Sequence, residues 1–226
     1  MNTVTAGYSA VEIARFIDHT VLKPEASLSA FDRLCEEAIR FNFKAVCVNS
    51  SRVRYVAAKL KGSDTAVCSV VGFPLGAMDS AVKAFETATA IANGASEIDM
   101  VIAVGDLKAG DSKAVADDIR AVRKACESVL LKVIIETCLL TEEEKVAACE
   151  ISKNAGADFV KTSTGFAGGG AMVADVALMR ETVGPEMGVK ASGGIATYDD
   201  AVAMIKAGAD RLGVSAGVAI VKGAPK

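Results

Sequence analysis

Hydrophobic residues recur along the chain as eight short runs that are rich in β-branched side chains. Each run has the length of a buried strand and gives way to glycine, proline or polar residues. Successive runs start 21 to 33 residues apart, which leaves room for a loop and a helix between them. The runs begin near residues 16, 45, 66, 97, 130, 159, 188 and 211.

The segments between the runs have the spacing of helices. Thr141 with Glu144 has the pattern of a capping box, and Thr197 precedes a stretch with apolar residues at i, i+3 and i+4. A third apolar stripe covers positions 172, 176, 179 and 183, and stripes of this kind are typical of core packing. The pattern therefore predicts a regular alternation of strand and helix.

Three of the joints between helix and strand resemble one another. The segments NGASEIDMV, AGADFVKTS and AGADRLGVS each place Gly-Ala and an acidic residue before a strand. Glycine suits the position after a helix where the backbone turns left-handed. We therefore predict an α/β fold, a (β/α)8 TIM barrel, as one domain over residues 1–226. An open, doubly wound sheet is the alternative, but no G-x-G-x-x-G motif follows the first strand.

Composition narrows the function. The chain has 51% hydrophobic residues, no Trp, a net charge of -3 and a pI of about 5.4. No basic field favours nucleic acid. The first 16 residues lack the pattern of a secretory leader, and the longest uncharged run, 65–78, is too short to span a membrane. We expect a cytoplasmic protein with no nucleic-acid or membrane partner.

The six cysteines contain no C-x-x-C pair, which favours reduced, buried thiols in the cytosol. Cys47 and Cys138 lie near strand ends and could act as nucleophiles. The chain has a single histidine, His19, so a general base for either thiol is scarce. A structural role is favoured for both.

Charged residues stand late in several apolar strands, where a barrel of this kind carries its chemistry. The residues concerned are Asp18, Asp99, Glu136, Lys161 and Lys190. Lys132 comes early in its strand, and we predict a structural side chain that reaches toward the opposite, stabilising end of the barrel.

Two lysines and an aspartate that converge from neighbouring strands have a specific chemistry. One ammonium group, together with burial, favours loss of the proton from the other, and a neutral amine can form a Schiff base with a carbonyl. A buried ion-pair network without catalysis is the alternative. The single histidine disfavours a zinc site; a carboxylate-bound Mg²⁺ stays open, although the lysines would compete for those carboxylates. We expect no cofactor and no metal.

Glycine-rich loops follow the sixth, seventh and eighth strands, as GFAGGGA, SGGIA and GVSAG. Barrel enzymes commonly bind phosphate there with backbone N–H groups. The loops therefore indicate a small phosphorylated substrate.

The motifs IDHTVLKPEA, VVGFPLGA, EIDMV, GADFVKTSTGF and GVKASGGI, from about residue 11 to 222, resemble deoxyribose-phosphate aldolases. The resemblance implies reversible cleavage of 2-deoxy-D-ribose 5-phosphate to acetaldehyde and D-glyceraldehyde 3-phosphate. It implies Lys161 as the Schiff-base amine, Lys190 as the lysine that keeps Lys161 unprotonated, and Asp99 as the acid/base group. The residues that it implies at the sugar and phosphate are Asp18, Thr20, Thr164, Gly165, Gly193, Gly194 and Ser215. A homodimer or homotetramer is also implied.

Two positions depart from the family pattern. Ala196 stands where many relatives have a basic residue, so we expect a weaker phosphate grip and a raised KM. Met172 replaces a threonine, and we expect it to start a helix and face its neighbours. A Schiff-base aldolase for another phosphorylated sugar and a non-catalytic phosphosugar-binding barrel remain the alternative functions.

Overall fold

The computed structural model describes residues 7–127 and 129–225. Eight parallel strands follow one another around a closed barrel in chain order, and the last pairs with the first. The strands are β1 (Ile17–Val21), β2 (Ala45–Asn49), β3 (Ala66–Val71), β4 (Glu97–Val101), β5 (Leu130–Ile134), β6 (Phe159–Lys161), β7 (Gly188–Ser192) and β8 (Arg211–Val214). The predicted (β/α)8 barrel is confirmed and the open sheet is not.

One helix precedes β1, and the others follow the strands; together they form the outer layer. They are α1 (Ala10–Ala14), α2 (Leu28–Phe41), α3 (Val53–Lys59), α4 (Ser80–Ala92), α5 (Val104–Lys108), α6 (Ser112–Ala125), α7 (Glu142–Asn154), α8 (Val173–Val183), α9 (Tyr198–Lys206) and α10 (Gly217–Lys222). In the described ranges, no helix is both long and apolar enough to cross a bilayer. The expectation that the first 16 residues are not a secretory leader concerns, in part, residues 1–6, which lie outside the described residues.

The predicted helix boundaries have the expected local chemistry. Thr141 and Thr197 each form a capping box with an acidic residue three positions later. Gly156, just before β6, has the positive φ expected at a helix end, +89°. Met172 is the N-cap of α8 and is 63% exposed, so the prediction that it faces its neighbours is wrong. The buried stripe of α8 begins at Val176.

The apolar core lies between the barrel sheet and the helices. Ile98, Met100 and Val133 are fully buried there, each worth about 1.5–3 kcal/mol of burial free energy. Alternate residues of the same strands point to the barrel interior, where a charged cluster lies beside a small apolar group of Leu22, Cys47, Cys68 and Val70. Stability and chemistry are thus assigned to opposite faces of one sheet.

Candidate active site

Charged side chains from six strands meet inside the barrel. Parallel pairing sets Asp99 of β4 beside Lys132 of β5, and Lys161 of β6 beside Lys190 of β7. Because side chains alternate along a strand, these neighbours share the inner face. The interior cluster consists of Asp18, Glu97, Asp99, Lys132, Lys161, Lys190 and Arg211, all of them buried.

Asp99 is the centre of this interior cluster. Its Oδ2 accepts hydrogen bonds from Lys161 Nζ and Lys190 Nζ, both at 2.7 Å. Its Oδ1 accepts one from Lys132 Nζ at 2.8 Å and one from the Cys68 thiol at 3.0 Å. One carboxylate therefore faces three lysines at once.

A second carboxylate, that of Asp18, stabilises the ammonium group of Lys190. Lys190 Nζ donates to Asp18 Oδ2 at 2.5 Å, and the Arg211 guanidinium donates to Asp18 Oδ1. Arg211 Nη2 also donates to Glu97 Oε2 at 2.9 Å, and Lys132 Nζ reaches the same oxygen at 2.6 Å. Lys190, Lys132 and Arg211 thus each donate hydrogen bonds to two carboxylates.

The pKa values follow from these contacts. Burial raises the pKa of Asp18, but Lys190 and Arg211 outweigh burial and lower that pKa to about 2. Burial likewise opposes ionisation of Asp99, yet the surrounding lysines hold its pKa well below the usual range. For Lys190, burial lowers the pKa, and Asp18 with Asp99 raises it above the ordinary value. Lys190 and both aspartates therefore stay charged at neutral pH.

Lys161 alone of the four basic groups opens to a cavity. This cavity has a volume of about 690 Å³ and lies at the carboxyl ends of the strands. Lys161 forms part of its lining, while Lys190, Asp99 and Asp18 lie beneath the wall. Six further residues assigned from the sequence line it: Thr20, Thr164, Gly165, Gly193, Gly194 and Ser215.

Glu136 positions the segment that follows Lys161. Its carboxylate accepts the Thr164 N–H at 3.2 Å and the Thr164 hydroxyl at 2.5 Å. Glu136 itself has a left-handed backbone, φ +58°, just beyond the end of β5. This charge therefore holds a loop and is not part of the interior cluster.

Two glycine-rich loops touch backbone to backbone. The Ala171 N–H donates to the Gly193 carbonyl at 3.0 Å, and a Cβ added at Gly170 would lie 2.5 Å from the same oxygen. Below them, Thr162 bonds the backbone of Ser192 in both directions. Only glycine allows this close approach, so the loops form one wall of the cavity.

One group of atoms could in principle hold a metal ion. The ligand atoms of Cys47, Cys68 and Asp99 lie within 4.8 Å of one another. The Asp99 oxygens already accept from three ammonium groups, and Lys132 Nζ lies 3.4 Å from Cys68 Sγ. A further cation would meet strong repulsion there, so these residues fit a metal poorly.

The two candidate thiols lie in different surroundings. Cys47 is fully buried beside Cys68, whereas Cys138 is exposed, and burial with Glu136 raises the pKa of its thiol. His19 points to Glu37 on α2, with Nε2 at 2.7 Å from the carboxylate. The histidine therefore serves neither thiol as a base.

Three features of the interior differ from the sequence prediction. Lys132 was expected at the opposite end of the barrel, but it is fully buried and contacts Asp99, because its register places it beside that residue. Arg211 and Glu97 were not singled out, although both have inward register positions. Asp18 lies below the cavity wall and contacts Lys190 and Arg211, neither of which lines the cavity.

A closed (β/α)8 barrel with a lysine in a glycine-walled cavity at the carboxyl ends of its strands has the arrangement of a barrel enzyme with a small-molecule active site. The family model described as DeoC/LacD family aldolase matches residues 13–223, and the chain belongs to that family.

Individual relatives agree with the family assignment. The deoxyribose-phosphate aldolase of Streptococcus gordonii is 60% identical over 94% of this chain and 97% of its own length. That of Clostridium perfringens is 60% identical over 94% and 95%. A crystal structure of a putative deoxyribose-phosphate aldolase from Coccidioides immitis has a TM-score of 0.93 at 45% identity, covering 96% of this chain and 87% of the other. The Aeropyrum pernix deoxyribose phosphate aldolase, described as having a unique tetrameric structure, has a TM-score of 0.89 at 32% identity over 95% and 91%.

Proposed function

We propose that this protein cleaves 2-deoxy-D-ribose 5-phosphate reversibly into acetaldehyde and D-glyceraldehyde 3-phosphate, through a Schiff base on Lys161. The names of the 60% identical relatives support the substrate. The observation that carries the chemistry is the position of Lys161, whose amine faces the cavity while it contacts Asp99 at 2.7 Å.

The charge balance of the interior cluster favours Lys161 as the nucleophile. Four basic side chains share three carboxylates, so full protonation leaves one positive charge in excess. Lys161 has a single carboxylate partner, whereas the other three basic groups have two each. Loss of a proton from Lys161 therefore costs the fewest contacts and makes the cluster neutral.

The reaction then proceeds in balanced steps. The neutral amine of Lys161 adds to the C1 aldehyde carbon, and the carbinolamine loses water to give an iminium. The iminium accepts the electron pair of the C2–C3 bond when a base removes the C3 hydroxyl proton, which releases D-glyceraldehyde 3-phosphate and leaves an enamine. Protonation at C2 and hydrolysis release acetaldehyde and restore the amine.

Asp99 and Lys190 have distinct roles in this proposal. Asp99, in contact with Lys161, accepts and returns protons in the carbinolamine and enamine steps, through a water in the cavity. Lys190, held charged by Asp18 and Asp99, disfavours a second ammonium at Lys161 and makes no bond to substrate.

The remaining assigned residues bind the substrate. Thr20 and Thr164 offer hydroxyl groups to the sugar, and the loops after β6, β7 and β8 offer N–H groups and the Ser215 hydroxyl to the phosphate. We also propose a cytoplasmic homo-oligomer, a dimer or a tetramer, built from one barrel domain over residues 1–226. The tetrameric Aeropyrum pernix relative supports oligomerisation.

Borohydride reduction in the presence of acetaldehyde, followed by peptide mass mapping, tests the mechanism. We expect a reduced two-carbon adduct on the peptide containing Lys161 in the native protein and no adduct in Lys161→Ala. Lys145→Ala, which removes a lysine of α7 outside the cavity, is the matched control and should retain the adduct. If Lys161 stays unmodified in the native protein, the proposed mechanism is wrong and the buried lysines form a structural ion-pair network.

Turnover with 2-deoxyribose 5-phosphate then separates the alternatives. An aldolase for another sugar would form the acetaldehyde adduct yet turn over this substrate poorly. A binding protein would form no adduct.

A further inference from the structure

Lys23 is a charged residue of the reaction cavity that the proposed mechanism does not use. It lies two positions beyond the end of β1 and lines the same cavity as Lys161. Within the described part of the chain, these two lysines are the only basic residues of that lining. Lys161 is already paired with Asp99, so Lys23 is the basic group that remains for a ligand.

The backbone on both sides of Lys23 is held in place. The Leu22 carbonyl accepts a hydrogen bond from the Asn49 side-chain amide at 3.1 Å. The Lys23 carbonyl accepts the Ala26 N–H at 3.1 Å, which closes a turn with Pro24 at its second position. The exposed side chain of Lys23 therefore starts from a fixed point at the rim of the cavity.

The phosphate loops lack a positive side chain of their own. Ala196 follows the glycines of the β7 loop, and Phe166 follows Gly165 in the β6 loop. Backbone N–H groups and the Ser215 hydroxyl can bind phosphate oxygens but carry no full charge to match a dianion. A cationic side chain would add a charge-assisted hydrogen bond, which is stronger than a neutral one, to a phosphate site built in this way.

Topology brings Lys23 to that site. β1 and β8 are hydrogen-bonded neighbours, with His19 paired to Val214. Ser215 comes directly after Val214, so the β1 loop that carries Lys23 runs beside the β8 loop that carries Ser215. Among the described residues Lys23 forms no ion pair, and its ammonium is therefore available.

We propose that Lys23 binds the phosphate group of the substrate and sets the preference for phosphorylated over unphosphorylated sugars. This inference rests on the proposed function. It places the main phosphate cation on the β1 loop, beside the β8 loop that carries Ser215.

The test compares two substrates across three variants. The ratio of kcat/KM for 2-deoxyribose 5-phosphate to kcat/KM for 2-deoxyribose should fall about tenfold or more in Lys23→Met, mainly through KM. Lys23→Arg should keep most of the ratio, because it retains the charge. Lys61→Met, which removes another exposed lysine at the opposite end of the barrel, should leave the ratio unchanged. The inhibition constant of inorganic phosphate should rise in Lys23→Met alone.

Two results would overturn the proposal: an unchanged ratio in Lys23→Met, or an equal loss on both substrates. Acetaldehyde carries no phosphate, so trapping it on Lys161 distinguishes this failure from failure of the proposed function. If the native protein forms the acetaldehyde adduct while the ratio is insensitive to Lys23, only the phosphate assignment is wrong. If the native protein forms no adduct, the proposed function itself fails.

Discussion

At the scale of single residues, the three buried lysines differ in the number of carboxylates that they contact. Lys161, Lys190 and Lys132 all contact Asp99, yet only Lys161 lines the cavity and only Lys161 has a single carboxylate partner. Position within the network, and not residue type, therefore separates the proposed nucleophile from two structural cations.

Replacing Lys190 by leucine tests this separation. Without the charged neighbour that the proposed mechanism uses to favour a neutral amine, acetaldehyde adduct formation at pH 7 should slow by about a hundredfold. The rate should recover as the pH is raised. Rates of trapping across the pH range measure this, and a loss that is the same at every pH would indicate a structural defect instead.

Ala196 allows a residue-scale gain of function. Its side chain is exposed at the β7 loop, and its N–H bonds Asp200 at 3.1 Å. Ala196→Arg should lower the KM for 2-deoxyribose 5-phosphate about threefold to tenfold with little change in kcat, because it adds uniform binding. Steady-state kinetics, with 2-deoxyribose as the unphosphorylated control, would detect this change. An unchanged KM would refute the expectation that Ala196 weakens phosphate binding.

At the scale of elements, the cavity depends on loops that hold one another. The β6 and β7 loops meet at Gly170 and Gly193, and Glu136 of the β5 loop binds Thr164 of the β6 loop. Three consecutive strand ends thus form a continuous wall. A substitution that moves one of these loops should therefore also displace the loop that it contacts.

Gly170→Ala is the element-scale test. The new methyl group would lie 2.5 Å from the Gly193 carbonyl and push the two loops apart. We expect kcat/KM for the phosphorylated substrate to fall about tenfold, with a loss of about 1–3 kcal/mol in unfolding free energy. Gly105→Ala, in α5 with open space around it, is the matched control and should stabilise by about 0.5–1 kcal/mol. Equal behaviour of the two variants would exclude contact between the loops as the cause.

At the scale of the whole molecule, the barrel holds a charged interior inside an apolar shell. Pairing makes this possible, since a lone buried charge is far more costly than one with partners. The cluster links strands from opposite sides of the barrel, as Lys132 Nζ lies 3.9 Å from Asp18 Oδ2. Stability should therefore depend on the ionisation of its carboxylates.

Acid should unfold the protein through this cluster. Asp18 has a pKa of about 2 in the folded state against an ordinary value of 3.8, so its contribution is present above pH 3.8 and lost as the pH falls through 2. The lowered pKa corresponds to about 2 kcal/mol. Urea unfolding between pH 5 and 2 should show the decline. If the free energy of unfolding declines less in Asp18→Asn than in the native protein, Asp18 causes the difference. An equal decline would mean that other residues cause it.

Much of this arrangement could be predicted from the sequence, and the limits have a physical origin. Eight apolar runs predict eight strands, and late positions place Lys161, Lys190 and Asp99 together. Lys132 was misplaced because position along one strand does not give its height in the barrel; that depends on the stagger between strands. The two-residue alternation of side chains would have placed Lys132 on the inner face with Asp99. The loop role of Glu136 requires a left-handed backbone that no sequence pattern signals.

The contact between Lys161 and Asp99 has a further consequence. The proposed iminium on Lys161 places a fixed positive charge where Asp99 Oδ2 already lies 2.7 Å from the amine nitrogen. The carboxylate is therefore in position to stabilise that charge as it forms, without breaking its other contacts. Lys132 and Lys190 hold the same carboxylate from two further sides, so its orientation is retained from one turnover to the next.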